Sequence, residues 1–583
     1  MSLRAGAGGN GGPVSEGGDR RSCEEAAPGR CPAVVTTAAE AAGFDSRAIA
    51  SGIPSRALMQ RAGAAAAGEI AKLLRETARA ARLRPGALVV YAGAGNNGGD
   101  GWVVARALAS TGVAVDVIQV GELRTDDARA ERALAEADPL VRVIPYSEDE
   151  RTIDAPAPAL IVDALLGTGT RGEPREPVAG AIARIARARD AGTVVVSLDI
   201  PSGVDADTGA AAGAIRADVT LTFGTIKRGI LVARGSVGRV VLLDIGLPRE
   251  VVDRALGGTA SSVAAKSPVL IDDAWLRSVV PPFAADAHKG TRGKLVIVGG
   301  QRGMAGAPVL AARAAMRSGI GMVRLVVSAE SLSAVQASEP HALARAWPGP
   351  AVSEWEEVVS GWADVVLVGP GLGASNETRK MVESLLDVWR GPVVLDADAL
   401  NVFAGEAAVL RKLLGERKAL LTPHAPEFGR LAGLELREVL DRRFEVGADL
   451  ARTTGAAVLL KGVPTVVSAP DGRRLVSARG TPTLATAGSG DLLGGIAATL
   501  LGQVGDPADA GAAAAWVHGR AAEIAERSHA GRAHRGRPSR HAAPSARGTT
   551  LADVEACIAD VWTDCPEPLV YPMLAELPAV GAT

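Results

Sequence analysis

The chain is poor in the residues that mark several common classes of protein. Aromatic residues make up 3% of its 583 residues, so any hydrophobic core must be built from Val, Leu, Ile and Ala. The four cysteines, Cys23, Cys31, Cys557 and Cys565, form no Cys-x-x-Cys pair, which argues against a zinc site and a disulfide framework and fits a reducing compartment. No apolar run of about 18 residues is free of charge or of a glycine-rich motif, and the N-terminus has no apolar signal core. We therefore expect no membrane span and a cytoplasmic location.

An excess of charge of one sign is also missing. Lys and Arg number 63 against 65 Asp and Glu, which gives a formal net charge of −2. This balance gives no reason to expect nucleic-acid binding. The composition, 47% hydrophobic and 22% charged, is that of a globular protein, and the length suggests two large domains.

The distribution of apolar residues predicts how the chain is divided. Residues 1–33 have almost no large apolar side chains, which predicts a disordered tail. Residues 34–255 form one predicted domain, 256–266 a linker of small residues, and 267–583 a second domain. Within the second domain, the basic and polar stretch 527–549 is expected to be a disordered insertion.

Both predicted domains show short apolar runs that alternate with helical patterns. Such runs are typical of parallel strands covered by helices on both faces, so the expected fold class is α/β in both halves. The runs are ALVVYAG, VAVDVIQV, ALIVDALLG, TVVVSLDIP, VTLTFG and VVLLDIG in the first half, and KLVIVGG, MVRLVVS, VVLVGPG, PVVLDAD, ALLTP and AAVLLKG in the second.

A glycine-rich stretch in the second half, TAGSGDLLGGIAATLL (486–501), has the character of a phosphate site. A helix is predicted to begin near Gly490, and its free N–H groups would attract an anion. Asp491 would lie in the first turn, where its carboxylate could take the proton of a hydroxyl during phosphoryl transfer. A simple capped helix start is the alternative explanation.

The second domain resembles a known family along most of its length. The GSGD loop resembles the ribokinase-like superfamily, and further stretches resemble its NAD(P)H-hydrate dehydratase branch. These stretches are HKGTRGKLVIVGG (288–300), GAPVLAARAAMRSGIGMV (306–323), GPGLG (369–373), LDADALN (395–401), LTPHAPEFGRL (421–431) and KGVPT (461–465). The resemblance implies a ribokinase-like α/β domain that uses Mg²⁺ and takes ADP as the phosphoryl donor.

The same resemblance implies site residues. The hydrated nicotinamide nucleotide would lie near Ala307, Gly371, His424 and Asp491, with Asp491 catalytic. Asp396 and Asp398 are further candidates for orienting substrate or metal. The adenine nucleotide would contact Lys461, Gly462, Val463, Pro464, Thr465 and Gly490.

A second glycine-rich stretch, GAGNNGGDG (93–101), follows the first apolar run of the chain. It contains the Gly-x-Gly-x-x-Gly spacing of a dinucleotide-binding turn. A nicotinamide-dependent dehydrogenase would also need an acidic residue at the end of the next strand, whereas Asp116 lies within VAVDVIQV. The spacing alone therefore does not predict a dehydrogenase.

The first domain as a whole resembles the NAD(P)H-hydrate epimerase family. The matching stretches are FDSRAIASGIPSRALMQRAG (44–63), GAGNNGGDG (93–101), VDALLGTGTRG (162–172), LDIPSGVDADTG (198–209) and TFGTIKRG (222–229). The resemblance implies a Rossmann-like three-layer α/β/α sandwich with Asp199 as the acid–base residue, and a potassium ion held by Asn97, Asp163 and Ser202. The implied substrate contacts are Asn96, Asn97, Gly98, Gly99, Asp100, Gly167, Thr168, Gly169, Thr170, Arg171, Gly172 and Asp199.

The two resemblances together imply a bifunctional repair enzyme for NADHX and NADPHX that uses ADP. Two alternatives stay open from the sequence: a ribokinase-like small-molecule kinase fused to a non-catalytic Rossmann-like module, and a protein whose first domain serves only for binding. A homo-oligomer is expected. The residues Met59-Gln60-Arg61 stand where the family usually has Met-Glu-Asn, which puts the geometry of subunit pairing in doubt.

Overall fold

The computed structural model describes residues 32–81, 88–147, 158–255, 267–348, 352–533, 546–564 and 568–580. Residues 1–31 of the expected tail and the whole expected linker, 256–266, lie outside the described residues. Ala33, which we expected at the end of the tail, instead begins the first strand.

The structure is a succession of short strands and covering helices. The strands are β1 (Ala33–Thr36), β2 (Leu88–Ala92), β3 (Val115–Gln119), β4 (Val141–Pro145), β5 (Leu160–Ala164), β6 (Val194–Leu198), β7 (Val219–Phe223), β8 (Ile226–Lys227), β9 (Arg239–Leu243), β10 (Val269–Leu270), β11 (Lys294–Val298), β12 (Met322–Val327), β13 (Leu343–Ala346), β14 (Val365–Val368), β15 (Val393–Leu395), β16 (Ala419–Leu421), β17 (Ala457–Leu460), β18 (Thr465–Ser468), β19 (Arg474–Ser477) and β20 (Met573–Leu577). The helices are α1 (Ala38–Ala50), α2 (Ser55–Ala81), α3 (Asn96–Ala109), α4 (Asp126–Glu136), α5 (Val178–Asp190), α6 (Arg228–Val232), α7 (Arg234–Val237), α8 (Arg249–Ala255), α9 (Asp273–Val279), α10 (Gly306–Arg317), α11 (Ala329–Ser338), α12 (Val352–Val359), α13 (Asn376–Val388), α14 (Asp398–Asn401), α15 (Ala407–Leu414), α16 (Ala425–Ala432), α17 (Leu436–Asp441), α18 (Val446–Thr454), α19 (Ser489–Val504), α20 (Pro507–Ala533) and α21 (Leu551–Thr563).

The strands form two sheets, which confirms the α/β class. The first sheet has eight strands in the order β20-β9-β7-β6-β5-β2-β3-β4, and all neighbours are parallel except β20 and β9. The second has twelve, in the order β13-β12-β11-β14-β15-β16-β17-β18-β19-β10-β1-β8. Each of the twelve apolar runs contains a strand, because a run buried on both faces suits the interior of a parallel sheet.

The two sheets exchange strands between the halves of the chain. β1 and β8 come from the first half but lie at the edge of the second sheet, where β1 pairs with β10. β20 comes from the end of the chain, yet it pairs antiparallel with β9 of the first sheet. An apolar cluster that includes Ile200, Phe444 and Leu574 lies beside these strands. The two halves are therefore joined by backbone pairing as well as by side-chain packing.

Helix α19 is held close to its neighbours in the second half. It packs with α10 and α20 in one cluster of buried Ala, Leu and Ile side chains. Gly495 permits this approach, because a Cβ at that position would lie 2.0 Å from the carbonyl oxygen of Ala311. The close packing fixes the N-terminus of α19 over the carboxyl ends of the second sheet.

One expectation about the end of the chain is wrong in part. The stretch 527–549 was expected to be a disordered insertion, but α20 continues to Ala533. Its Ala-rich sequence favours helix beyond the point where the composition changes. Residues 534–545 lie outside the described part of the chain. Among the described helices, none combines the length and the apolar character needed to cross a bilayer.

Candidate functional sites

The first candidate site is a cleft at the carboxyl ends of β2, β5 and β6. It has a volume of about 1430 Å³. The sequence-predicted residues that line it are Asn96, Asn97, Asp100, Gly167, Thr168, Gly169, Thr170, Arg171, Gly172 and Asp199. These residues therefore lie at the edge where an open parallel sheet binds its ligands.

The remaining predicted residues of this site lie beneath the cleft. Gly98 and Gly99 are buried in the first turn of α3, and a Cβ on Gly98 would lie 2.0 Å from the carbonyl oxygen of Gly93. Asp163 and Ser202 are completely buried.

Asp116 lies inside β3, where its carboxylate accepts from Arg142 of β4 at 2.6 Å, and so does not serve the cleft as a strand-end acid.

An aspartate–lysine pair forms the charged centre of the cleft. The Lys227 ammonium donates to the Asp199 carboxylate at 2.5 Å, and also to the Thr222 hydroxyl and the Phe223 carbonyl oxygen. Asp199 follows β6 with a φ of 62°, a conformation that costs an ordinary residue energy and is found mainly where surrounding contacts enforce it. The sequence analysis did not single out Lys227 as a site residue, because a lysine at the end of a two-residue strand has no local signal.

Two further carboxyl groups surround this pair. Burial raises the pKa of Asp100 well above its ordinary value, the charges of Asp199 and Asp45 add to the rise, and Lys227 opposes it. Burial also raises the pKa of Asp45, again against the influence of Lys227. Asp45 lies in α1 and lines the cleft, and it was not singled out in the sequence. The cleft thus contains two carboxyl groups with raised pKa values, those of Asp100 and Asp45, around the Asp199–Lys227 pair.

The three residues predicted to bind potassium form a buried cluster. The Asp163 carboxylate accepts from the Ser202 hydroxyl at 2.6 Å, the Ser197 hydroxyl at 2.8 Å and two backbone N–H groups. Burial raises the pKa of Asp163, although these hydrogen bonds oppose the rise. The Asn97 amide donates to the Leu166 carbonyl oxygen, while Asn97 Oδ1 is buried with no hydrogen-bond partner among the described residues. A buried amide oxygen without a hydrogen-bond donor is the type of hard ligand that a monovalent cation prefers.

The structure also places Met59 and the two residues that depart from the family pattern, Gln60 and Arg61. Met59 lines the first cleft. The Gln60 amide donates to Glu131 of α4 at 2.7 Å, and the Arg61 guanidinium donates to the Gly246 carbonyl oxygen at 3.4 Å. All three side chains therefore make contacts within this chain.

The second candidate site surrounds the N-terminus of α19. The helix follows Gly488, whose φ of 92° suits glycine, and it begins at Ser489, one residue before the predicted start. Asp491 lies in the first turn, as predicted. The Lys461 ammonium lies against the same turn, 3.3 Å from the position of a Cβ built on Gly490. Helix N–H groups and a lysine together form a site for phosphate.

Asp396 organises the charges of this site. Its carboxylate accepts from Lys461 at 2.6 Å and from the Thr422 hydroxyl at 2.8 Å. Burial lowers the pKa of Lys461, but Asp396, Glu427 and Asp491 outweigh that influence and the pKa is raised. Burial raises the pKa of Asp491 to about 7, with Asp396 adding to the rise and Lys461 opposing it. A carboxyl group with this pKa suits a general base that works near neutral pH.

The other predicted substrate residues lie on neighbouring turns. Gly371 has a φ of 59°, and its Cβ position is 3.2 Å from the Cβ of Ala307, so these two residues are adjacent. The Asp398 carboxylate accepts from the backbone N–H of Gly373 at 2.8 Å, which fastens the GPGLG turn. Ala397, between the two aspartates, has a φ of 49°, an uncommon conformation for a residue with a Cβ.

His424 caps α16 and stands beside Lys461. Its Nδ1 accepts from the Glu427 backbone N–H at 3.1 Å, and its backbone pairs with that of Lys461. The imidazole side chain is 49% exposed, and its Nε2 lies 3.4 Å from the Glu427 carboxylate. The cap therefore fixes the orientation of the ring toward the end of the sheet.

The predicted nucleotide segment, Lys461 to Thr465, leads away from this point. Val463 is exposed, and its carbonyl oxygen accepts from the Arg443 guanidinium.

The sequence analysis missed His518 of α20, whose Nε2 lies 3.3 Å from the Ser489 hydroxyl. Burial lowers the pKa of His518 to about 4, so this imidazole is neutral at physiological pH.

These two sites define a class of protein. Two features are typical of an enzyme with two ligand sites: a cleft with an Asp–Lys pair above a buried polar cluster, and a helix N-terminus with a lysine and an aspartate whose pKa is about 7. Residues 55–229 match the family described as YjeF-related protein N-terminus, and residues 295–535 match the family described as NAD(P)H-hydrate dehydratase.

Full-length relatives carry both parts. The chain is 38% identical over 526 residues to the bifunctional NAD(P)H-hydrate repair enzyme Nnr of Salinibacter ruber, covering 85% of this chain and 92% of that protein. It is 34% identical over 440 residues to the enzyme of the same name from Escherichia coli, covering 75% of this chain and 80% of that one. This chain belongs to the family of bifunctional NAD(P)H-hydrate repair enzymes.

A solved structure resembles part of the chain. The ADP/ATP-dependent NAD(P)H-hydrate dehydratase of Bacillus subtilis, crystallised with ATP and Mg²⁺, is 26% identical with a TM-score of 0.41, and covers 49% of this chain and 95% of that one.

Proposed function

We propose that this chain repairs hydrated NAD(P)H, interconverting the R and S epimers in the first site and dehydrating the S epimer in the second. The observation that carries the proposal is the position of Asp491, a carboxyl group with a pKa of about 7 in the first turn of a glycine-rich helix, beside Lys461. Family membership supports both activities, and the site roles below are part of the proposal.

In the second site, Asp491 takes the proton of the hydroxyl group on the hydrated ring. That oxygen attacks the terminal phosphorus of ADP, an O–P bond forms, and AMP leaves. The lone pair of the ring nitrogen then expels phosphate as the carbon–oxygen bond breaks. Loss of the proton on the neighbouring ring carbon restores the dihydronicotinamide. The N–H groups of α19 and the Lys461 ammonium stabilise negative charge on the phosphoryl group.

The proposal also assigns residues to the two ligands of this site. Gly371, Ala307 and His424 form the wall on the substrate side, and Lys461 to Thr465 with Gly490 form the nucleotide side. Mg²⁺ bound with the nucleotide would neutralise charge on the phosphates, and Asp396 and Asp398 would be the carboxylates available to hold it. ADP is the proposed donor.

In the first site, Asp199 takes the proton of the hydroxyl group on the hydrated ring, and the bond between that carbon and the ring nitrogen breaks to give an open-chain aldehyde. The nitrogen then attacks the other face of the aldehyde carbon, the C–N bond re-forms, and Asp199 returns the proton to the oxygen. The paired Lys227 keeps the carboxylate oriented. The glycine-rich turns at Asn96–Asp100 and Gly167–Gly172 surround the nucleotide. Asn97, Asp163 and Ser202 would hold the potassium ion, which would supply positive charge for binding the phosphates of the substrate. We further propose a homo-oligomer in the cytoplasm, with domains at 34–255 and 267–583.

Separate assays of the two epimers test the proposal. S-enriched hydrated NADH with ADP and Mg²⁺ should regain dihydronicotinamide absorbance, and Asp491→Asn should abolish this recovery. R-enriched material without nucleotide should convert to the R/S mixture by chromatography, and Asp199→Asn should abolish that conversion. Wild-type rates indistinguishable from the spontaneous ones would refute the proposed function.

The donor, the cation and the assembly need their own measurements. Replacing ADP by ATP in the first assay tests the donor, and replacing potassium by a larger organic cation tests the ion. Light scattering of the purified protein tests the homo-oligomer.

A further inference from the structure

The lysine of the first site is attached to the sheet of the second half of the chain. Lys227 lies in β8, whose backbone pairs with β1 in the register Thr36 to Lys227. β1 in turn pairs with β10, and β10 pairs with β19. The position of the Lys227 backbone is therefore set by strands that continue into the second sheet.

The residue after Lys227 makes a second connection to the other half. The Arg228 guanidinium forms an ion pair with the Glu445 carboxylate, and lies 5.2 Å from the centre of the Phe444 ring. It is also 3.8 Å from the Glu40 carboxylate of α1. The Arg228 side chain is only 12% exposed, so this contact is largely shielded from solvent and from salt.

Neither Arg228 nor Glu445 lines the cleft around Asp199. The direct route from this contact to the site is the backbone of Lys227, which adjoins Arg228 in the chain. The ammonium of Lys227 has to meet Asp199, Thr222 and Phe223 at the same time, which requires a defined backbone position. A displacement of about 1 Å in a reacting or orienting group can lower a rate by about a hundredfold.

We infer that Glu445, although it belongs to the second half of the chain, is a positioning residue for the epimerase site and acts through Arg228 on Lys227. The inference rests on the proposed function of the first cleft. It makes the first site dependent on a contact that a separated first domain would not contain.

Four variants test this inference in the full-length chain. Glu445→Gln and Arg228→Gln each remove one charge of the pair, and the double variant removes both. The matched control is Glu438→Gln, which removes a nearby exposed ion pair between Glu438 and Arg442, 2.8 Å apart. Each preparation is assayed for conversion of R-enriched hydrated NADH and, separately, for dehydration of the S epimer.

We expect each single change to lower the epimerase kcat by about tenfold with KM unchanged, since the substrate contacts stay in place. The epimerase kcat of the double variant should be no lower than that of the single variants, because the two substitutions remove the same ion pair. Glu445→Asp should restore part of the rate. Glu438→Gln should match the wild type, and the rate of S-epimer dehydration should be unchanged in these four variants and in Glu445→Asp.

Two results would overturn the inference. An epimerase rate of Glu445→Gln equal to that of the wild type would show that the contact does not position Lys227. An equal fall of both activities would show a general loss of folded protein. A wild type that fails to epimerise at all is a different outcome, because it would refute the proposed function of the first site and the inference with it.

Discussion

Replacing Asp491 by Asn should remove dehydratase activity and, above neutral pH, make the protein more stable. Asp491 is a carboxyl group whose pKa burial raises to about 7 from an ordinary value of 3.8. Between pH 3.8 and about pH 7, Asp491 keeps its proton in the folded state and releases it in the unfolded state. The wild type therefore loses stability as pH rises from about 4 to about 7, and the loss stays constant above that.

The size of the effect follows from the same values. The difference between 3.8 and about 7 corresponds to about 4 kcal/mol for a fully buried group. Asp491 is only partly buried, and solvent screening reduces the effect, so we expect about 2 kcal/mol. The amide that the Asp491→Asn variant carries has no such titration, since it is uncharged at all of these pH values.

Urea unfolding between pH 4.5 and 8.5 tests this expectation. Trp516 of α20 is buried in the same cluster as α19, so tryptophan fluorescence reports the region. The free energy of unfolding of the Asp491→Asn variant should be close to that of the wild type at pH 4.5 and about 2 kcal/mol higher at pH 8. The control, Asp441→Asn, alters an exposed carboxylate and should leave the free energy of unfolding unchanged at both pH values. An advantage of Asp491→Asn that does not grow with pH would refute the reasoning.

Three other expectations follow from the two sites. The dehydratase kcat of the wild type should rise with pH and level off above about 7, as the Asp491 base ionises, in a rate profile at saturating substrate; a rate that falls over this range contradicts the assignment. Lys227→Met should lower the epimerase kcat by about 10²- to 10⁴-fold and leave S-epimer dehydration unchanged in parallel assays; equal loss of both would point to unfolding. Potassium should raise the melting temperature of the wild type in a thermal-shift titration and have a smaller effect on Asn97→Ala, whose buried Oδ1 is removed; equal shifts in the two proteins would exclude Asn97 as a ligand.

The strands that sequence reasoning found are those whose own side chains identify them. VVLV of β14 and LIVDA of β5 are buried along their whole length, so their composition alone indicates an interior strand. β8 has two residues and β10 has two, and each forms only because a distant strand lies beside it. The exchange of β20 onto β9 joins residues more than three hundred positions apart, which no local pattern can predict.

The site residues differ in the same way, because some are identified by their local sequence and others only by distant contacts. Asp491 was predictable because glycine-rich residues and a helix start surround it in the sequence. Asp396 was named only as a further candidate, although it contacts Lys461 and raises the pKa of Asp491. Lys227 and Asp45 were missed, because their relation to Asp199 exists only after β6, β8 and α1 have packed together.

The central claim is that one chain clears both epimers of hydrated NADH, and one absorbance trace tests it most directly. Purified protein is mixed with both epimers, ADP and Mg²⁺, and the return of dihydronicotinamide absorbance is followed. The account predicts full recovery at a rate above that of spontaneous epimerisation. Recovery of only the S fraction, followed by a slow spontaneous phase, would contradict the epimerase role of the first site, and no recovery with either ADP or ATP would contradict the account as a whole.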